Sequence, residues 1–189
     1  MKVNEIKPNI LILEYRQEKG DKDYGSCLWA RFMFNLDRYE LSIMSDCGNY
    51  GYKWVETPNS ESFLQLMSRC DDGYIINKLY GSPDIFNFEE TKKEAYKSMV
   101  IVDEDKQKLD EIFQEFEDTW EPETSESFCT RFEEYNDGYF DGGYVWSLPE
   151  YEYPANVLKI VSVFENCIKP KIKEIISAKE KETLIPTAY

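Results

Sequence analysis

The chain has 189 residues, is 42% hydrophobic and 15% aromatic, and carries a formal charge of −15 at pH 7. That length fits one domain, and that apolar share is enough to build a core. Histidine is absent, which excludes Ser-His-Asp and Cys-His catalysis, histidine-ligated zinc and imidazole acid–base chemistry.

Residues 9–16, NILILEYR, read as a short apolar strand. After the loop QEKGDKDYG, residues 26–34 (SCLWARFMF) are aromatic and partly alternating, which predicts a second strand. Asn35–Arg38 turns the chain into YELSIMS, with Tyr39, Leu41 and Ile43 on one face and Ser42 and Met44 on the other. In DCGN, Gly48 and Asn49 tolerate positive φ and supply a turn into a fourth strand, YGYKWV. Four consecutive strands with short connections predict an antiparallel meander.

The hydrophobic period then changes. Thr57 is placed to cap a helix, with Pro58 in its first turn and Phe63, Leu64 and Met67 on one face. DGYIINKLYG predicts a second short helix stopped by Gly81. Asn87 and Glu90 make a capping-type start for a helix reaching about Ser98. Residues 103–118 carry the clearest helical pattern, with Asp103 as N-cap. Leu109, Ile112, Phe113 and Phe116 share one face, and Glu104, Glu111, Glu115 and Asp118 lie opposite. Thr124 opens another helix with Phe128 and Phe132 inward, Asn136–Gly143 is turn-rich, and YVWSL reads as a strand or extended loop. Pro154 starts a long helix with the stripe Val157, Ile160, Val161, Phe164 and Ile168. Pro170 should kink or divide that helix, and the residues beyond about Lys181 are expected to fray.

The expected fold is α+β in a single domain over residues 1–189. An N-terminal antiparallel sheet of about four strands occupies about 1–56 and is covered by helices in 57–102. An acidic aromatic region follows in 103–152, and a long C-terminal helix in 153–182.

The charge is not spread evenly. Asp103–Glu152 holds seventeen carboxylates and three basic side chains, so this stretch alone accounts for −14 of the −15. It also holds Phe113, Phe116, Trp120, Phe128, Phe132, Tyr139 and Trp146, and acidity combined with aromatics predicts a folded surface instead of a solvated tail. Eight of the carboxylates lie in 103–118. As a helix that segment spans about 24 Å, about half the charge density of duplex DNA along its axis. Glu121 and Glu123 widen the surface, as do Glu126, Glu133, Glu134, Asp137 and Asp141.

The same stretch admits other chemistries. Asp137 and Asp141 in NDGYFDGG, with Glu133 just upstream, are the candidate carboxylates for a metal-dependent nuclease or RNA-modifying enzyme. No calcium-loop or nuclease spacing accompanies them, so no metal site or cofactor is expected. The five cysteines, Cys27, Cys47, Cys70, Cys129 and Cys167, are odd in number and include no CxxC pair. Their spacing supports neither a disulfide framework nor a thiolate zinc site, and predicts reduced, mostly buried thiols. Trp29, Trp54, Tyr50 and Tyr52 are expected to pack the sheet against helices. The lysines from Lys169 to Lys181 are interleaved with Glu174 and Glu180, and no phosphate-cradling glycine pattern exists, so direct nucleic-acid binding is disfavoured. MKVNEIKPN lacks the apolar segment of a signal peptide, and no apolar run approaches the ~18 residues of a membrane span. A soluble intracellular protein is the expectation.

Residues 45–81, SDCGNYGYKWVETPNSESFLQLMSRCDDGYIINKLYG, resemble small uncharacterised proteins carried by bacteriophages and prophages. The resemblance covers about a fifth of the chain and transfers no catalytic motif. It implies a product of a mobile element in the cytoplasm of a bacterial host. By analogy with small acidic inhibitors of host defence, including anti-CRISPR proteins and DNA mimics, the leading expectation is a non-enzymatic inhibitor. Its partner would be a basic bacterial nucleic-acid-binding protein, CRISPR effectors being one instance of that class. The partner-binding residues would be Glu104, Asp110, Glu111, Glu115, Asp118, Glu121 and Glu123, with Trp120 as a rim anchor. The alternatives are the metal-dependent enzyme and a phage structural or regulatory protein whose acidity only aids solubility.

Overall fold

A computed structural model gives the structure of the chain, with residues 7–21 and 24–183 described. The fold is α+β, and its tertiary contacts divide it into two compact units: Met1–Ser82 with Ala155–Tyr189, and Pro83–Pro154.

The first unit opens with the expected meander. Strands β1 (Ile10–Arg16), β2 (Trp29–Asn35), β3 (Glu40–Ser45) and β4 (Gly48–Lys53) form an antiparallel sheet in the order β1-β2-β3-β4. The register places Leu13, Phe32, Ile43 and Tyr50 across one row, and Leu11, Phe34, Leu41 and Tyr52 across the next. Phe32, Phe34, Leu41 and Ile43 of these rows are buried. Tyr39 is not in the strand; it sits at φ 53° and closes the β2–β3 turn. At Gly48, φ is 113°, and an added Cβ would lie 2.9 Å from the Tyr50 hydroxyl, so only glycine fits this turn.

The first helix starts later than Thr57. Pro58–Ser60 form a single 3-10 turn, and α1 (Phe63–Arg69) is capped by Ser62. Ser62 and Gln65 complete a reciprocal capping box, which satisfies two backbone donors where Thr57 satisfies none. Thr57 instead donates to the Glu61 carbonyl. Helix α2 (Asp72–Leu79) is capped by Asp71 and stopped at Gly81, φ 97°, as its sequence predicts.

The second unit begins with β5 (Ile85–Asn87) and α3 (Phe88–Met99), whose N-cap is Asn87. Helix α4 (Asp103–Thr119) follows, then α5 (Ser125–Asn136), capped by Thr124, and the short α6 (Gly142–Val145). Strand β6 (Glu150–Glu152) pairs antiparallel with β5. YVWSL is therefore a helical turn, and the strand comes just after it, in EYE. The Thr91 hydroxyl explains part of this register: it is buried in α3, donates to the Asn87 carbonyl and accepts the Glu150 N–H. The core is a phenylalanine cluster. Phe88, Phe113, Phe116, Phe128 and Phe132 are all buried, with Phe116 and Phe128 stacked at 5.6 Å and 17°.

The chain returns to the first unit through α7 (Ala155–Val163) and α8 (Lys169–Thr183), joined by a π-helical turn over Phe164–Ile168. Pro170 dictates this break. It has no N–H for the Asn166 carbonyl, and its ring would clash with that carbonyl in a regular α-helix. The wider turn accommodates both, with the Lys169 N–H bonded to the Phe164 carbonyl. Phe164 is buried and meets Phe32 of the sheet at 6.1 Å. Trp54 is buried between Tyr52 and Phe63, and its indole N–H donates to the Tyr74 hydroxyl. The expected frayed end beyond Lys181 falls largely on residues 184–189, outside those described. Among the described residues no helix is long and apolar enough to cross a membrane.

Candidate acidic interaction surface

The division into units sharpens the charge asymmetry. Pro83–Pro154 contains twenty-one carboxylates and six basic side chains, a net −15, so the other unit is formally neutral. The whole formal charge of the chain resides in 72 residues that fold around their own phenylalanine core.

Helix α4 presents that charge. Leu109, Ile112, Phe113 and Phe116 are buried, whereas Glu104, Asp110, Glu111, Glu115 and Asp118 are all exposed. Glu121 and Glu123, in the loop after the helix, are exposed too. Among the described residues none of these seven carboxylates forms an ion pair. Asp110 accepts a hydrogen bond from the Tyr96 hydroxyl at 2.7 Å, and Asp118 one from the Gln114 amide at 3.0 Å. Burial, followed by the Asp110 carboxylate, pushes the Tyr96 hydroxyl well above the ordinary tyrosine range, so Tyr96 remains a donor. The ion-paired carboxylate of the helix is Glu117, which meets Lys92 of α3 at 2.6 Å.

Helix α4 starts one residue before the expected position, and with a different cap. Val102 is its N-cap residue and has no polar side chain, so Asp105 does the capping from inside the first turn. Its Oδ2 accepts the N–H groups of Ile101 at 2.9 Å and Val102 at 3.0 Å, and its Oδ1 accepts the Tyr139 hydroxyl. Those two backbone donors hold the Asp105 carboxyl below the usual carboxylate range. Asp103, Glu104 and Asp105 in the first turn also face the positive end of the helix dipole.

The other end is electrostatically unfavourable. The last turn of α4 has no basic residue, while Glu115, Glu117 and Asp118 gather at the negative end of the dipole. Glu111 and Glu115 are a like-charged i,i+4 pair. Arg131 of α5 is the compensation, and sequence reasoning missed it. Its guanidinium donates to the Trp120 carbonyl at 2.8 Å, to the Thr119 hydroxyl and to the Tyr135 hydroxyl. It also lies 4.7 Å from the Trp120 ring centroid and 4.9 Å from that of Phe116. Arg131 is the only basic residue between Lys108 and Lys159, a signal present in the sequence.

Trp120 sits where the acidic helix ends, 53% exposed, with Arg131 against its ring. Trp146 is equally exposed, and Tyr139, Tyr144 and Tyr151 are exposed in the same unit. The acidic unit therefore carries an uncovered aromatic complement of which sequence reasoning singled out only Trp120.

The candidate metal carboxylates have local structural work. Asp137 is the left-handed C-cap of α5, at φ 47°. Asp141 caps α6 by accepting the Gly143 N–H, and Glu133 accepts the Trp146 indole N–H at 2.8 Å. The turn between them is clamped by buried Asn136, whose amide exchanges two hydrogen bonds with the Phe140 backbone. Among the described residues these three carboxylates do not form a set of donor atoms within 4.8 Å of one another.

A family model described as a phage family matches residues 1–174. No curated protein and no solved structure matches.

Proposed function

We propose a function from one premise: the chain belongs to the phage family Phage_phiTE_072. It acts as an acidic protein that binds and inhibits a basic nucleic-acid-binding protein of the bacterial host, in the host cytoplasm, by occupying the channel meant for nucleic acid. CRISPR effectors are one instance of such a target. The observation that carries this reading is the segregation of charge, with a net −15 on one compact unit and zero on the other. A chain needing charge only for solubility has no reason to confine it to one folded unit. The electrostatically poor C-terminal end of α4 supports the same reading. Local violations of stability rules are expected where a surface is kept for binding. Attraction between this unit and a basic channel is long-ranged, raises the association rate and is screened by salt.

The test is capture from bacterial lysate at low and high salt, with identification by mass spectrometry. The expected partner is a basic nucleic-acid-binding protein, released by salt and by added DNA or RNA. A variant carrying Glu104→Lys, Glu111→Lys, Glu115→Lys and Asp118→Lys should associate far more slowly and with weaker salt dependence. All four side chains point away from the core, so its fold should survive, which circular dichroism checks. Undiminished binding by the folded variant would remove the acidic helix as the recognition surface.

A further inference from the structure

The fold gathers two cysteines and a carboxylate that the sequence keeps apart. Cys27 lies in the irregular segment just before β2, and Asp46 and Cys47 form the tip of the β3–β4 hairpin. The last pair of the β2–β3 ladder is Ala30 opposite Ser45, so the antiparallel register delivers both segments to the same end of the sheet. The Sγ atoms of Cys27 and Cys47 and a carboxylate oxygen of Asp46 all lie within 4.8 Å of one another. We propose that Cys27, Asp46 and Cys47 form a three-residue site for Zn²⁺, with a fourth coordination position facing solvent.

The three donors, within 4.8 Å of one another, must draw together to hold an ion. With Zn–S near 2.3 Å and Zn–O near 2.0 Å, tetrahedral donors stand about 3.5–3.8 Å apart. Hydrogen bonds tie both segments together without a metal. The Ser45 hydroxyl accepts the Cys47 N–H and donates to the Gly48 carbonyl, and the Tyr50 hydroxyl donates to the Cys47 carbonyl. The Asp46 carboxylate accepts the N–H groups of Leu28 at 2.9 Å and Trp29 at 3.3 Å, which ties the Cys27 segment to the hairpin. Such outer hydrogen bonds orient a metal-binding carboxylate and leave lone pairs for the ion.

The environment grades from dry to wet. Cys27 is fully buried and Cys47 is 7% exposed, whereas Asp46 is exposed. The thiols thus form the floor of the site and the carboxylate its rim, which gives an ion an entry path. Two sulfurs favour a borderline-soft cation over Mg²⁺ or Ca²⁺, and the carboxylate is compatible with zinc. Burial works against the Asp46 charge, but the backbone N–H groups of Leu28, Trp29 and Asp46 itself, together with the Cys27 thiol, hold its carboxyl below the usual range. Burial and the neighbouring Cys47 push the Cys27 thiol up to about 12. Metal binding by thiols displaces their protons to the buffer.

The experiment uses the full chain, reduced and freed of metal by a chelator, titrated with Co²⁺ and then Zn²⁺. The expected result is one ion per chain, with the near-ultraviolet thiolate-to-cobalt charge-transfer band, loss of that band when Zn²⁺ displaces Co²⁺, and a buffer-dependent heat that reports proton release. Cys27→Ser or Cys47→Ser should abolish the two-sulfur band, and Asp46→Asn should weaken zinc binding with both thiols retained. The wild-type spectrum needs no variant, so a cysteine variant that misfolds does not blunt the test. Cobalt binding without a thiolate band would place the ion on the acidic unit and overturn the proposal. Absence of binding, or formation of a Cys27–Cys47 disulfide by a protein that takes up no zinc when reduced, would overturn it as well.

Discussion

Asp105 shows how a single side chain sets a helix boundary that propensity leaves open. Asp103 has the chemistry of an N-cap, yet the capping is done two residues on, because the Asp105 carboxylate reaches back to the N–H groups of Ile101 and Val102. These bonds favour the ionised form, so the folded-state pKa lies below the unfolded one. The stability gained is fully present above the unfolded value of about 3.9 and is lost as pH falls through the lower folded value. Urea midpoints measured from pH 7 downward should therefore show a constant gap between the native chain and Asp105→Asn near neutrality, closing below about pH 4. A gap that widened on acidification would contradict the assignment. The cysteines follow the reading of their sequence more closely. Cys27, Cys47, Cys70 and Cys129 are buried and free, and only Cys167 is exposed.

At the scale of elements, α4 joins a strong apolar face to an unfavourable charge pattern. Phe116 is fully buried and touches Phe88, Phe113, Phe128 and Tyr135. Phe116→Ala should cost about 3–5 kcal/mol, since the surrounding rings cannot collapse into the space. Charge reversal on the same helix has the opposite sign. Glu115→Lys and Asp118→Lys place cations at the negative end of the dipole and remove a like-charged pair, so each should raise stability by about 0.3–1 kcal/mol. Denaturant unfolding of the three variants tests both statements. Were the acid-to-lysine changes strongly destabilising, the reading of α4 as a helix kept acidic against its own stability would fall. The C-terminal helix teaches a related lesson. Pro170 marked the place of a break, and the structure resolves it as a π-turn in which Phe164 and Ile168 stay buried.

At the scale of the whole molecule, a net −15 on 72 residues implies self-repulsion within the acidic unit. The Debye length falls from about 30 Å at 0.01 M salt to about 8 Å at 0.15 M. Added NaCl should therefore raise the melting temperature of the native chain, and raise it less for the quadruple lysine variant. Scanning fluorimetry across that range is the check, and an equal response from both proteins would show that α4 does not dominate the repulsion. The same screening that stabilises the acidic unit weakens its proposed attraction to a basic partner, so the two effects of salt are separable by sign.

Local signals in the chain determined most of the secondary structure, because period, caps and turn residues act over a few neighbours. The four consecutive strands, Asn87 and Thr124 as caps, Gly48 as a positive-φ turn residue, Gly81 as a helix stop and the buried stripe of α4 were all legible in that way. The concentration of carboxylates was also plain, as was their exposure opposite Leu109, Ile112, Phe113 and Phe116. Tertiary structure decided what depends on partners distant in sequence. It paired β5 with β6 across more than sixty residues, extended the acidic unit back to Pro83 and confined the charge to it. It placed Arg131 against Trp120, and brought Cys27 to Asp46 and Cys47. None of these follows from periodicity or spacing, because each is an approach in space imposed by strand register and core packing.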